Sequence, residues 1–280
     1  MPEPRRILIV DDDPDVHQLL KVALHETGRY IETASDGNEG LRKFLAGRWD
    51  LVITDVIMPG IDGMMLLEHI RATRPEVPVV VMTVESTAEK VVAGIRENAF
   101  AWFSKPFTVD AVRDMVDKAL APRLLDDIQV LSASPRWLEL RLRCDFETAG
   151  RALHFVREIE SGVPEAERES VALAFREILL NAIEHGGGND PNVWVTITYM
   201  RGEGVLLFLV RDPGPGFSFD KLKHAAISNP ESPVEHSMER EAMGLRPGGF
   251  GILLTRSFVD ELLYNEKGNE ALLIKYMKRP

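Results

Sequence analysis

Short apolar runs alternate with helical periodicities along the first third of the chain. Ile7-Leu8-Ile9-Val10 is a β-branched run that ends in a cluster of aspartates. Leu51-Val52-Ile53-Thr54 repeats the pattern and also ends in Asp, and Val79-Val80-Val81-Met82 ends in Thr83. A shorter run, Ala101-Trp102-Phe103, leads to Lys105-Pro106. Continuous apolar runs of this kind suit strands buried on both faces of a parallel sheet. Between them, Val16, Leu19, Leu20 and Ala23 have helical spacing, as do Met64, Leu67 and Ile70. A helix over 108–120 is predicted with Thr108 as its cap and Asp110 in its first turn, stopped by Ala121-Pro122. Strands alternating with helices predict a doubly wound α/β domain with a parallel, five-stranded sheet over residues 1–121.

The pattern changes after Pro122. Residues 122–135 read as a linker, with Pro122, Asp126-Asp127 and Ser132-Ala133-Ser134-Pro135, although Leu124, Leu125, Ile128, Val130 and Leu131 indicate that part of it packs. Beyond it, Leu138, Leu140 and Leu142 alternate with charged residues, as in a half-buried strand. Helices are expected over 146–160 and 169–185, the second burying Val171, Phe175, Ile178, Leu179 and Ala182. Hairpins are expected around Arg201-Gly202-Glu203-Gly204 and Glu266-Lys267-Gly268-Asn269, with a helix over 251–258 between them. Residues 136–280 thus predict an α+β sandwich, a mixed and mostly antiparallel sheet with helices on one face.

Composition narrows the class of protein. Hydrophobic residues make up 45% and charged residues 28%, an ordinary globular balance. No apolar run approaches the roughly 18 residues that span a bilayer, and the N-terminus lacks the apolar stretch of a signal peptide. The single cysteine, Cys144, can form neither an internal disulfide nor a metal cluster. The expectation is a cytoplasmic protein without membrane contact. Up to Pro122 there are 14 basic against 20 acidic residues, and beyond it 19 against 24. Both parts are acidic, which speaks against direct nucleic-acid binding, because a DNA-binding module normally carries a basic face.

In a doubly wound sheet, ligands bind at the carboxyl ends of the strands. Asp11, Asp12, Asp55, Thr83 and Lys105 all fall there. A single Asp after a strand is more often a turn or helix cap. Three carboxylates at one sheet edge repel one another, and a hard cation such as Mg²⁺ resolves that through oxygen ligands. One carboxylate can then act as nucleophile toward a phosphoryl group, with Lys105 supplying positive charge and Thr83 a hydroxyl donor. Val10-Asp11-Asp12, Asp55 with Met58-Pro59-Gly60, Thr83 and Lys105-Pro106-Phe107 occur in one order. That order resembles the response-regulator receiver family, a flavodoxin-like fold. The resemblance implies Asp55 as phosphoacceptor, Asp11 and Asp12 with Asp55 as metal-binding acids, and Thr83 and Lys105 as switch hydroxyl and phosphate-contacting lysine. It also implies an upstream sensor histidine kinase. Trp102 takes the place of that family's switch aromatic, commonly Tyr or Phe; the alternative for it is an aromatic packed at the surface.

A second constellation follows. Glu177, Asn181 and His185 recur every four residues, a polar stripe in an otherwise apolar helix. Asp212-Pro213-Gly214-Pro215-Gly216 follows a strand, and its glycines let backbone approach a ligand while Asp212 can accept from an adenine amino group. Gly248-Gly249-Phe250-Gly251 opens a helix and offers free N–H groups to phosphate. Each feature alone is an ordinary face, turn or helix start. In this order they resemble the Bergerat-type ATPase fold of histidine-kinase catalytic domains, type II topoisomerases and anti-sigma-factor serine kinases. The last group is most similar in compact length and in the stretch 251–262. The resemblance implies ATP with Mg²⁺, Asn181 as a metal ligand, Glu177 as general base, and Asp212, Gly214, Gly216, Gly249 and Gly251 around the nucleotide. Residues 218–247 are then the ATP lid, with Arg246 at the γ-phosphate. No His followed by Glu and a Pro turn marks a phosphorylation helix, so a hybrid sensor kinase is not expected.

The combined expectation is a response regulator whose ATP-binding output domain phosphorylates serine or threonine of a partner such as an anti-sigma-factor antagonist. The alternative is a non-enzymatic ATP-binding switch that sequesters a sigma factor or an antagonist; a docking domain without nucleotide is a third reading. The sequence leaves open a homodimer and the sign of the output.

Overall fold

The computed structural model describes residues 3–25, 28–122, 127–159, 164–216 and 251–277. They fall into two units, Met1–Leu125 and Asp126–Pro280.

In the first unit, β1 (Arg5–Val10), β2 (Arg29–Ala34), β3 (Leu51–Asp55), β4 (Val79–Thr83) and β5 (Ala101–Ser104) form one parallel sheet in the order β2-β1-β3-β4-β5. The helices are α1 (Pro14–Ala23), α2 (Gly37–Ala46), α3 (Gly63–Thr73), α4 (Ala88–Arg96) and α5 (Val109–Leu120). β3 and β4 are buried along their whole length, which is why they read as unbroken apolar runs. β2 is an edge strand with alternating polar positions, and no apolar run announces it. On one face, Ile7, Ile9, Ile53, Val80, Met82 and Phe103 pack against Leu20 of α1 and Val112, Met115 and Val116 of α5. α5 starts as its sequence predicts: Thr108 Oγ1 accepts from Ala111 N at 3.3 Å, and Asp110 lies in the first turn.

In the second unit, β6 (Ile128–Ser134), β7 (Trp137–Arg143), β8 (Trp194–Gly202), β9 (Val205–Arg211), β10 (Glu261–Tyr264) and β11 (Glu270–Tyr276) form one sheet in the order β10-β11-β9-β8-β7-β6. Its pairings are all antiparallel, not mixed as the pattern suggested. β6–β7, β8–β9 and β10–β11 are short hairpins, and the two-helix connection between β7 and β8 brings the chain back antiparallel to β7. Helices α6 (Phe146–Ile159), α7 (Glu165–Asn181) and α8 (Gly251–Phe258) complete the described part. Inward residues such as Leu140, Ile197, Phe208 and Leu273 are fully buried or nearly so. Phe175 of α7 stacks on Phe208 with ring centroids 4.9 Å apart.

Two expectations are corrected. The stretch 122–135 is not a linker throughout, because Ile128–Ser134 is β6, paired along β7 with a bulge between Val130 and Ser132. The bulge breaks the period-two pattern and hides the strand in the sequence. The helix expected to reach His185 instead ends at Asn181 and continues as a π-turn, Ala182–Gly186. Gly187 N donates to Ala182 O at 2.8 Å, one residue further back than an α-helix allows.

Candidate functional site

At the carboxyl edge of the parallel sheet, the acids follow β1 and end β3. Oxygens of Asp11, Asp12 and Asp55 all lie within 4.8 Å of one another. Asp11 is fully buried and Asp55 nearly so, whereas Asp12 is exposed. Lys105, just after β5, donates from Nζ to Asp11 Oδ2 at 2.7 Å and also to Asp55 Oδ2. Backbone amides hold the other oxygens: Asp13 N donates to Asp11 Oδ1 at 3.0 Å and Ile57 N to Asp55 Oδ1 at 3.1 Å. Burial raises the Asp11 pKa above the ordinary carboxylate value, and the contacts from Lys105 and Asp13 only partly offset it. Burial would lower Lys105, but its hydrogen bonds to Asp11 and Asp55 prevail and hold the ammonium above its usual value. Two buried carboxylates share one cation, with a third acid exposed beside them. This oxygen-only set fits a hard divalent ion such as Mg²⁺.

Thr83 ends β4, fully buried, and its Oγ1 accepts from Glu85 N at 3.2 Å. Trp102 is fully buried rather than packed at the surface. Its Nε1 donates to Ser86 Oγ at 3.0 Å. Gly94 of α4 makes room for the indole, since a Cβ there would stand 2.8 Å from two ring carbons. Gly63 similarly lets α3 begin against the end of β3, where a Cβ would overlap the Asp55 carbonyl. Sequence reasoning did not single out Ser86, Gly94 or Gly63, whose roles depend on contacts between separate elements.

The second constellation gathers around the end of α7. Glu177 and Asn181 both face the first residue of α8: a Cβ on Gly251 would lie 3.0 Å from Glu177 Oε2 and 3.5 Å from Asn181 Nδ2. Arg176 Nη1 lies 3.4 Å from Glu177 Oε1. His185, the third member of the stripe, is exposed on the π-turn. Asp212 follows β9, and its Oδ1 accepts from Gly214 N at 2.8 Å. The β10–β11 turn supports it: Asp212 N donates to Asn269 O at 3.0 Å, and Asn269 Nδ2 donates to Asp212 O at 2.9 Å. Gly216, with φ of 75°, lies where a Cβ would overlap the Lys267 carbonyl. Burial raises the Asp212 pKa, against the Gly214 N–H and the charge of Lys267. Gly249, Arg246 and the expected lid 218–247 lie outside the described residues. Asn269 and Lys267 were read only as turn residues; their contact with the Asp212 loop is made by the tertiary fold.

Comparison with known proteins agrees with both folds. Residues 7–117 match the response regulator receiver domain, and residues 142–275 match the histidine kinase-like ATPase domain. The chain is a response regulator receiver domain followed by a histidine kinase-like ATPase domain. It is 36% identical over 118 residues to the transcriptional regulatory protein GlrR of Escherichia coli, covering 42% of this chain and 27% of that protein. It is 33% identical over 139 residues to the response regulator MprA of Mycolicibacterium vanbaalenii, covering 50% of this chain and 60% of that protein. Among solved structures, the response regulator TrrA of Thermotoga maritima, in complex with Mg²⁺-BeF, is 37% identical with a TM-score of 0.39. That match covers 41% of this chain and 99% of TrrA. The match to GlrR thus spans about a quarter of that relative's length. No described helix is long and apolar enough to cross a membrane.

Proposed function

We propose that the chain is phosphorylated on Asp55 by a sensor histidine kinase, and that this controls a C-terminal domain that transfers the γ-phosphoryl of ATP to a serine or threonine of a protein partner. An anti-sigma-factor antagonist is the favoured partner. The observation that carries the enzymatic reading is that Glu177 and Asn181 both face Gly251 at the start of α8. A base and a side-chain amide next to a glycine at the start of α8 suit a serine hydroxyl, a metal ion and a phosphate chain.

In the receiver, an Asp55 oxygen forms a bond to phosphorus as the phosphorus–nitrogen bond of a phosphohistidine breaks, and the imidazole takes up a proton. Asp11, Asp12 and Asp55 would hold Mg²⁺, which supplies positive charge against the phosphoryl oxygens. Lys105 exchanges its Asp55 contact for a phosphoryl oxygen, and Thr83 turns its hydroxyl toward another. In the second domain, Glu177 takes the proton of the serine hydroxyl. The oxygen–phosphorus bond then forms as the bridging bond to the β-phosphate breaks, and ADP keeps that oxygen. Asn181 would hold Mg²⁺, and Asp212 would accept from the adenine amino group. Acidity in both parts of the chain favours protein partners over direct nucleic acid.

The Arg176–Glu177 ion pair favours a second reading, because it occupies one oxygen of the base. In that reading the domain binds ATP and sequesters a sigma factor or antagonist without catalysis. Labelled ATP, a candidate partner and the variant Glu177→Ala separate the two. The kinase reading expects transfer by the wild type and none by the variant at unchanged ATP affinity. Capture of the partner without transfer by either protein contradicts it.

A further inference from the structure

The π-turn after Asn181 brings backbone against the Asp212 side chain. A Cβ on Gly186 would stand 2.5 Å from Asp212 Cβ and closer still to its Cγ and Oδ1. A Cβ on Gly214 would likewise stand 2.7 Å from Gly186 Cα and 2.8 Å from Asp212 Oδ1. The carboxylate is therefore packed tightly against two glycine backbones, with Oδ1 accepting from Gly214 N at 2.8 Å. The next residue repeats the tight fit: a Cβ on Gly187 would stand 2.8 Å from Cys144 Cβ. Two non-bonded carbons at 2.5 Å overlap heavily, and a packed interior does not absorb that without a shift.

We propose that Gly186 is a positioning residue for nucleobase selection: its missing side chain fixes the Asp212 carboxylate so that it accepts from adenine and rejects guanine. This rests on the reading of Asp212 as the adenine acceptor. Geometry supplies the reason. With any side chain at 186, Asp212 must turn its carboxylate away about the Cα–Cβ bond and, because that rotation leaves Cβ in place at 2.5 Å, must move its backbone too. Rotation breaks the Oδ1 contact with Gly214 N. Backbone motion pulls on the paired contacts with Asn269. The acceptor leaves its fixed direction, and a misdirected acceptor loses both affinity and discrimination. The π-turn delivers this contact. Its wider turn sets Gly186 against the β9 loop while keeping Asn181 on the face toward Gly251.

The test uses the full chain, with ATP and GTP affinities measured by calorimetry. The wild type is expected to bind ATP and to prefer it to GTP. Gly186→Ala is expected to lose about tenfold or more in ATP affinity and most of the preference over GTP, the loss of one charge-assisted contact. Asp212→Ala should lose a similar amount, and the double variant should be little worse than either single one, because both remove the same contact. Gly150→Ala, where a Cβ meets nothing within 4 Å, should bind as the wild type does. If Gly186→Ala does not fold, Gly214→Ala puts the same question at the second glycine that touches the carboxylate. A wild type that fails to bind ATP overturns the nucleotide reading itself. A wild type that binds, with glycine variants that keep both affinity and base preference, overturns the role of Gly186 alone. Additive losses in the double variant also overturn it.

Discussion

At the residue scale, the receiver centre is a charge problem. Asp11 and Asp55 are buried and lean on one ammonium, Lys105. Removing that cation leaves two carboxylates without compensation, so Lys105→Met should cost about 3–5 kcal/mol in urea unfolding without divalent ions. Added Mg²⁺ should recover much of the loss, because it replaces the missing charge. A deficit that is the same with and without Mg²⁺ speaks against the metal site. Incubation with a small phosphodonor and Mg²⁺ should add one acyl phosphate to the wild type and none to Asp55→Asn, read by intact mass; equal labelling of both would refute the phosphoacceptor. Asp212 gives a pH dependence. Burial raises its pKa above the ordinary value, so in the folded protein it takes up a proton at higher pH than in the unfolded chain. Folding is therefore favoured by this group at acid pH, and that contribution is lost as pH rises through the folded pKa. With Asp212 as the proposed adenine acceptor, binding would run the other way, since the ionised carboxylate is the stronger acceptor. ATP affinity should fall as pH is lowered through that raised pKa, and Asp212→Asn should flatten that limb of the profile.

At the scale of elements, what the sequence shows depends on how each element is buried. β1, β3 and β4 stand out because both faces are covered. β2, α2 and α4 were not separately visible: β2 is a half-polar edge, and the two helices mix small, charged and apolar positions. β6 reads as linker in the sequence because its bulge interrupts the alternation. A concrete consequence follows for dissection of the chain. Asp127 O accepts from Arg143 N at 2.9 Å, and its side chain pairs with the buried Arg151 of α6. A fragment beginning at residue 136 lacks both β6 and that ion pair. It should unfold at lower urea, or aggregate through the exposed edge of β7, whereas a fragment from residue 126 should unfold cooperatively. Equal midpoints for the two fragments would contradict β6 as part of the fold. Within the receiver, Gly94→Ala forces a methyl against the Trp102 indole, at 2.8 Å from two ring carbons. Overpacking of this kind should destabilise by about 1–3 kcal/mol, and Gly94→Ala combined with Trp102→Phe should recover part of it, by thermal or urea unfolding.

At the scale of the whole molecule, the order of two phosphate-handling folds was legible because each rests on several spaced motifs. Asp11, Asp12, Asp55, Thr83 and Lys105 sit at strand ends, and Glu177, Asn181, Asp212 and Gly251 on one helix, one loop and one helix start. The tight fit around Asp212 was not legible, since it arises where a π-turn meets a loop distant in sequence. Only positions 121–127 separate the end of α5 at Leu120 from the start of β6 at Ile128. α5 is the last element of the first unit in chain order, ahead of this connection. The central claim is that the first site governs the second. The direct measurement is ATP affinity and turnover of the full chain with and without beryllofluoride and Mg²⁺, beside Asp55→Asn treated in the same way. Coupling of typical size predicts a change of about 5–150-fold in the wild type and none in the variant. No change in either quantity in the wild type, or the same change in Asp55→Asn, would contradict control of the ATPase domain by the receiver.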